Sequence, residues 1–202
     1  MVQAKRSIED ILSLLDQNSI IRSAFRDEIN LAEQTTLHEF NPDQTYTTLE
    51  LAIRKNQDTL DYQDKIAEIC KSARPIGKHE RFYAGVNEAV RNAYQHGNKK
   101  DPAKKVTVSY KSTEDTFEVV VSDEGGKLNA SFIPFILLHR YRELNQPLSF
   151  YQFSGTKQSY ENSGIGTFVI HMVSDEVNYF RNSNGGLSVQ MIIKKDKNQP
   201  KY

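Results

Sequence analysis

Apolar and polar positions follow two different periods along the chain, and the change of period divides it into two parts. Residues 7 to about 36 place apolar side chains at spacings of three and four, which predicts one bent helix or two short helices. The Asn-Pro-Asp run at 41–43 interrupts this pattern, because proline disfavours helical backbone in the residue before it. We therefore expect a helical N-terminal extension over residues 1–42 and one domain over residues 43–202.

From Tyr46 the apolar positions recur at every second residue, and strands and helices then follow one another. The spacings predict strands near 47–53, 106–110, 117–121, 176–181 and 187–194, and helices near 60–73, 78–96, 130–144 and 165–175. Residues 145–163 are polar and predict a loop. This order predicts an α/β fold of the α+β type, a two-layer sandwich with a mixed, mainly antiparallel sheet and helices on one face.

The composition excludes several classes of function. Lys and Arg total 26, as do Asp and Glu, so no net field draws the chain toward nucleic acid or anionic lipid. The densest apolar stretch, residues 132–138, is far shorter than the roughly 20 residues that span a bilayer. The N-terminus is acidic where a secretory signal would be apolar, and the single cysteine cannot form an internal disulfide. We expect a cytoplasmic protein that contacts neither nucleic acid nor membrane directly.

The predicted helix over 78–96 carries two polar side chains beside an apolar stripe. The stripe consists of residues that lie within about 60° of one another on a helix, namely Phe82, Val86, Ala89 and Ala93. Glu88 and Asn92, four residues apart, form a second stripe about 100° from it. A carboxylate and a carboxamide at this edge can meet one ligand, the first as a proton acceptor and the second as an oxygen ligand for Mg²⁺. An ordinary polar helix flank has the same pattern, so the pair alone leaves both interpretations open.

The strand near 117–121 leads into an acidic turn that contains glycine, Asp123-Glu124-Gly125-Gly126. An aspartate at a strand end can accept a hydrogen bond from an exocyclic amine, and glycines beside it let a flat base approach the backbone. The same four residues also make a good turn with no ligand at all.

A third segment, Ser163-Gly-Ile-Gly-Thr167, places two glycines directly before the predicted helix at 165–175. The free N–H groups and the positive dipole end of a helix N-terminus suit phosphate. A plain helix start is the alternative, because a single pair of glycines is a weak signal.

Together, in this order and spacing, the three segments resemble the signatures of the GHKL (histidine-kinase-like) ATPase superfamily, of the gyrase, Hsp90, histidine kinase and MutL type. Within that superfamily the chain is most similar to the anti-sigma-factor serine/threonine-protein kinases. The resemblance covers about residues 46–194 and implies a Bergerat-type ATP-binding fold over them.

The resemblance also implies a role for each matching residue. Asn92 would hold the Mg²⁺ that bridges the phosphates of ATP, and Glu88 would be the general base. Asp123 would accept a hydrogen bond from the adenine amino group, and Gly125 would let the base lie close. The phosphates would be wrapped by Ser163, Gly164, Ile165, Gly166 and Thr167. The chain departs from the family pattern at one position, where Lys127 replaces the second glycine of Asp-x-Gly-x-Gly.

The function that this resemblance implies is ATP-dependent phosphorylation of a serine or threonine on a small antagonist protein, in a bacterial partner-switching pathway. An anti-sigma-factor antagonist and a sigma factor would be the partners, and a homodimer remains open. The alternative is an ATP-gated protein-interaction module without phosphoryl transfer. The presence of Glu88 favours the enzyme, because a module that only binds nucleotide needs Asn92 and Asp123 but no base.

Overall fold

A computed structural model describes residues 39–53, 60–77, 79–125, 132–140, 144, 146–155 and 163–195, together with residues 10, 13, 14 and 17. The chain forms two compact units, one made of Met1–Thr36 and Asn129–Phe168 and the other of Leu37–Leu128 and Val169–Tyr202. Most of the helical segment predicted over 7–36 lies outside the described residues. The four residues described within it have helical backbone.

The described elements follow the predicted order closely. The strands are β1 (Thr47–Leu51), β2 (Val106–Ser112), β3 (Thr116–Asp123), β4 (Glu176–Arg181) and β5 (Leu187–Lys194). The helices are α1 (Leu60–Lys71), α2 (His79–Asn92), α3 (Phe132–Arg140), α4 (Phe150–Ser154) and α5 (Gly166–Val173). A short 3₁₀ helix (Arg74–Ile76) precedes α2, and a π-helical turn (Ala93–Gly97) follows it.

The five strands form one sheet in the order β1-β2-β3-β5-β4, and each strand is antiparallel to its neighbours. A single bridge between Glu39 and Arg181 adds a parallel contact at the β4 edge. The predicted α+β fold with a mainly antiparallel sheet is therefore confirmed.

Helix α2 covers one face of this sheet. The ring of Phe82 in this helix packs against that of Phe117 in β3, with 5.8 Å between the ring centroids. At Gly85 the approach is closer still, because a Cβ there would lie 2.4 Å from the Val173 side chain and 2.6 Å from that of Met191. The predicted stripe is fully enclosed, with every member buried: Phe82, Val86, Ala89 and Ala93. Apolar burial of this kind provides most of the stability of an amphipathic helix.

The opposite face of the sheet is crossed by the segment that precedes β1. The ring of Phe40 stacks on that of Phe180, with 4.9 Å between the ring centroids. The Tyr46 hydroxyl donates to Glu118 Oε2 at 2.8 Å, and the Gln190 amide donates to that hydroxyl at 3.3 Å. Residues 39–46 therefore help to cover this face. The domain boundary after residue 42 stays a prediction.

The other unit has its own apolar cluster, in which α3 and α4 meet. Its buried members are Phe135, Leu138, Leu148 and Phe153, with Phe132, Leu144 and Phe150 packed against them. The expectation of a loop over 145–163 was wrong for Phe150–Ser154, which forms α4. The helix begins at a capping box: the Ser149 side chain accepts a hydrogen bond from a backbone N–H of the first turn, and the Gln152 side chain accepts one from the Ser149 N–H.

Candidate functional site

The end of α2 presents Glu88 and Asn92 on the flank that the sequence predicts, and both side chains are half-buried. The helix does not stop after Asn92 but widens into the π-helical turn, where the Asn98 N–H donates to the Ala93 carbonyl at 2.7 Å. Turns of this kind are rare and recur at functional sites. The polar flank therefore ends where the backbone leaves regular helical geometry.

Glu88 has a partner that we did not predict. Arg91 Nη2 donates to Glu88 Oε2 at 2.7 Å, and 34% and 17% of the two side chains, respectively, are exposed. The spacing of three residues on a helix is the sequence signal for such a pair. Arg91 holds the carboxylate in one place, which a general base needs, but it also occupies one carboxylate oxygen.

Asp123 ends β3 and is 6% exposed. Its Oδ1 accepts hydrogen bonds from the Gly125 N–H at 2.8 Å and the Leu187 N–H at 3.2 Å. None of the described residues donates a hydrogen bond to Oδ2. Burial raises the pKa of this carboxyl above its ordinary value of 3.8, and the two backbone hydrogen bonds and the charge of Lys104 offset that effect only in part.

Three glycines bring backbone directly against Asp123. A Cβ on Gly97 would lie 2.2 Å from Asp123 Cγ, and one on Gly186 would lie 2.0 Å from the Asp123 carbonyl oxygen. A Cβ on Gly125 would lie 2.1 Å from the Gly97 carbonyl oxygen. Any side chain at these positions would fill the space around the carboxylate, so all three must be glycine for this arrangement.

Two asparagines hold the backbone around this carboxylate. Asn182 Nδ2 donates to the Asp123 carbonyl at 2.8 Å, while its Oδ1 accepts from the Gly186 N–H at 3.0 Å. Asn98 is buried, and its Oδ1 accepts from the Glu124 N–H at 2.8 Å. The sequence pattern predicts a role for neither residue. Asn182 lies 59 positions from Asp123, and no local pattern signals a contact over that distance.

The glycine segment 163–167 begins in the unit that contains α3 and α4. Gly164 has a φ of 73°, and α5 begins at Gly166, as expected for a loop that opens a helix. Ile165 is exposed and Thr167 is buried. The Gly164 carbonyl accepts a hydrogen bond from the Phe150 N–H at 2.9 Å. Gly126 and Lys127, at the departure from the family pattern, lie outside the described residues.

Comparison with known proteins decides the family. Residues 76–193 match the family of the histidine kinase-like ATPase domain, over more than half of the chain. The chain belongs to this family. The predicted membership of the superfamily is confirmed, and the matched range contains every candidate site residue from Glu88 to Thr167.

Several curated relatives are similar to part of the chain. Serine-protein kinase RsbW of Bacillus subtilis strain 168 is 30% identical over 112 residues, which is 55% of this chain and 62% of the relative. Anti-sigma F factor of Anoxybacillus flavithermus is 32% identical over 107 residues, 53% of this chain and 63% of the relative. Serine-protein kinase RsbW of Bacillus velezensis is 29% identical over 112 residues, with shares of 55% and 62%. The chain thus spans less than two thirds of the length of these relatives.

Two features are absent from the part of the chain that the structure describes. Among these residues no helix is long and apolar enough to cross a membrane. Nor does that part of the chain bring three His, Cys, Asp or Glu side chains together as metal ligands.

Proposed function

We propose that this chain binds ATP at the Asp123 site and is a serine/threonine-protein kinase that phosphorylates a small antagonist protein. The observation that carries the proposal is the state of the Asp123 carboxylate. One oxygen is held by two backbone N–H groups, while the other has no donor among the described residues. A carboxylate oxygen without a donor offers a ligand amine a charge-assisted hydrogen bond, which is stronger than one between neutral groups.

The residues around this acceptor support adenine as the ligand. The adenine amino group would donate to Asp123 Oδ2, and the absence of side chains at Gly97 and Gly125 would let a flat base lie close to the backbone. Ser163–Thr167 would receive the phosphates, because the first N–H groups of α5 have no partner within the helix.

Asn92 would contribute its carboxamide oxygen to a Mg²⁺ ion that also binds the phosphates. Mg²⁺ suits such a site, because it retains waters and binds through few protein groups together with substrate phosphates. When bound, it would neutralise charge on the transferring phosphoryl group. The proposed ATP-binding domain covers residues 43–202.

Glu88 would act as the general base that accepts the proton of the attacking serine or threonine hydroxyl, with Arg91 holding the carboxylate in place. The same hydrogen bond is the observation that favours the alternative, an ATP-gated interaction module, because it occupies one carboxylate oxygen. The names of the relatives, a serine-protein kinase and an anti-sigma F factor, support a cytoplasmic kinase whose partners are an anti-sigma-factor antagonist and a sigma factor.

Calorimetry with ATP, with and without Mg²⁺, tests the proposed binding site. We expect the wild-type chain to bind ATP with micromolar to millimolar affinity, and more tightly when Mg²⁺ is present. Asn92→Ala should bind ATP equally with and without Mg²⁺, whereas Asn41→Ala, which removes an exposed asparagine, should behave as the wild type. No heat with the wild type, or an undiminished effect of Mg²⁺ in Asn92→Ala, would refute the assignment.

A further inference from the structure

The glycine segment lies directly against the first turn of α4. The Phe150 N–H donates to the Gly164 carbonyl at 2.9 Å. A Cβ on Gly164 would lie 2.5 Å from Ser149 Oγ and 2.6 Å from Tyr151 Cδ2. With a φ of 73° and no space for a side chain, position 164 accepts only glycine. The conformation of the segment is therefore tied to α4.

The first turn of α4 is itself held in two ways. Ser149 Oγ accepts from the Tyr151 N–H at 3.2 Å, and the Ser149 N–H donates to Gln152 Oε1 at 3.1 Å. The ring of Phe150 packs against those of Phe135 and Phe132, at centroid distances of 5.2 and 5.9 Å. Because Phe150 is the first helical residue, its N–H has no acceptor within the helix and is available to an outside carbonyl.

Fixing the Gly164 carbonyl also fixes the next N–H. The two groups share one planar trans peptide unit, so their directions are opposite. The Ile165 N–H is consequently turned away from α4, and it donates to none of the described residues. It precedes the N–H groups of Gly166 and Thr167 at the start of α5.

We propose that the Phe150 N–H, held by the Ser149 cap and the aromatic cluster, positions the phosphate-binding segment. By holding the Gly164 carbonyl it turns the Ile165 N–H away from α4, where that N–H is available to a phosphate of ATP. Phe150 and Ser149 are positioning residues that need not touch the nucleotide. The inference rests on the proposed ATP binding and adds the part of the chain that prepares the segment for it.

A matched pair of substitutions isolates this N–H. Phe150→Pro and Phe150→Ala both remove the aromatic side chain, but only proline also removes the backbone N–H. Proline is accepted at the first helical position, and Ser149 has φ −79° and ψ 139°, which suits a residue before proline. We expect Phe150→Pro to bind ATP about 2- to 12-fold more weakly than Phe150→Ala, which is the affinity equivalent of one hydrogen bond. Adenosine, followed by an NMR titration, should bind both variants equally.

A second pair tests the cap, in case the proline variant does not fold as judged by its thermal unfolding. Ser149→Ala should weaken ATP binding by up to about 5-fold, which is the affinity equivalent of the helix stability usually lost with a serine cap. Ser149→Thr keeps the cap hydroxyl and should restore wild-type affinity.

The outcomes separate this inference from the proposed function. If the wild-type chain binds no ATP, the proposed function fails and the inference fails with it. If the wild type binds ATP but both pairs show equal affinities, only the inference is wrong. A proline-to-alanine ratio that is as large for adenosine as for ATP would also overturn it, because the effect would then not concern the phosphates.

Discussion

Asp123→Asn should separate ATP affinity from the stability of the fold. The substitution keeps the shape of the side chain and an oxygen that can accept from the Gly125 and Leu187 N–H groups. It removes a charge whose burial is unfavourable, since burial raises the pKa of this carboxyl. If Asp123 serves to bind a ligand, its charge should lower the stability of the fold while it increases the affinity for ATP.

The loss of affinity follows from one hydrogen bond. Oδ2 of Asp123 would accept the adenine amine, and a hydrogen bond to a charged group contributes about 1.5–3 kcal/mol. At about 1.4 kcal/mol per tenfold change in affinity, Asp123→Asn should bind ATP about 10- to 150-fold more weakly. Asp115→Asn removes an exposed carboxylate in the β2–β3 turn and serves as the control with unchanged affinity.

The effect on stability has a defined sign. The pKa of Asp123 is higher in the folded chain than its ordinary value of 3.8 in the unfolded chain. In the pH window that runs from about 3.8 up to the folded-state pKa, the folded chain therefore binds more protons than the unfolded chain. The unfolding free energy therefore falls as the pH rises through this window. Asparagine does not titrate, so the stability of the wild type relative to Asp123→Asn should decrease from below pH 3.8 upward and then level off.

Urea unfolding of both proteins across this pH range measures the difference, and calorimetry measures the affinities. The reasoning is refuted if Asp123→Asn is less stable than the wild type by an amount that does not change with pH, or if it binds ATP as the wild type does.

Two further predictions concern the surroundings of the site and the aromatic cluster. Gly97→Ala would place a Cβ 2.2 Å from Asp123 Cγ, so we expect a loss of about 1–3 kcal/mol in urea unfolding together with weaker ATP binding. Gly185→Ala is the control, because a Cβ there would have no neighbouring atom within 4 Å. It should lower the stability only through its left-handed backbone and should leave the ATP affinity unchanged. His139 lies in α3, with its ring centroid 4.5 Å from that of Phe135. Burial lowers the pKa of His139 from 6.5 to about 4, so the stability that its neutral form confers is present above pH 6.5 and is lost as the pH falls toward 4. Between these values the wild type should lose about 3 kcal/mol relative to His139→Leu in urea unfolding, and parallel pH profiles would contradict this.

Much of the fold could be predicted because its elements are local and periodic. Strands β4 and β5 were predicted with the bounds that the structure has, since their alternation is regular and a turn with two glycines separates them. The apolar stripe of α2 faces the sheet as its spacing predicts. Helix α4 was missed because five residues are too few to show a period. Its signals were a serine three residues before a glutamine and a glycine after the last turn.

The candidate site could be predicted only in part, for a different reason. Glu88, Asn92 and Asp123 stand in motifs whose spacing is visible in the chain, and their proposed roles stay predictions. The contacts that support them are mostly not local. Asn182 reaches the Asp123 carbonyl across the sheet, and Phe150 reaches Gly164 across 14 positions. Such pairs depend on how the chain folds back on itself, which the period of a single segment does not indicate.

The most direct test of the kinase proposal is transfer of the labelled γ-phosphate of ATP to a protein that copurifies with this chain from its native cells. We predict that the wild type labels a serine or threonine of that partner. Glu88→Gln should bind ATP as tightly as the wild type but transfer phosphate about 10²- to 10⁴-fold more slowly, because it lacks the base. Labelling at equal rates by both proteins would contradict the role of Glu88, and no labelling by either would contradict the kinase and leave the ATP-gated module.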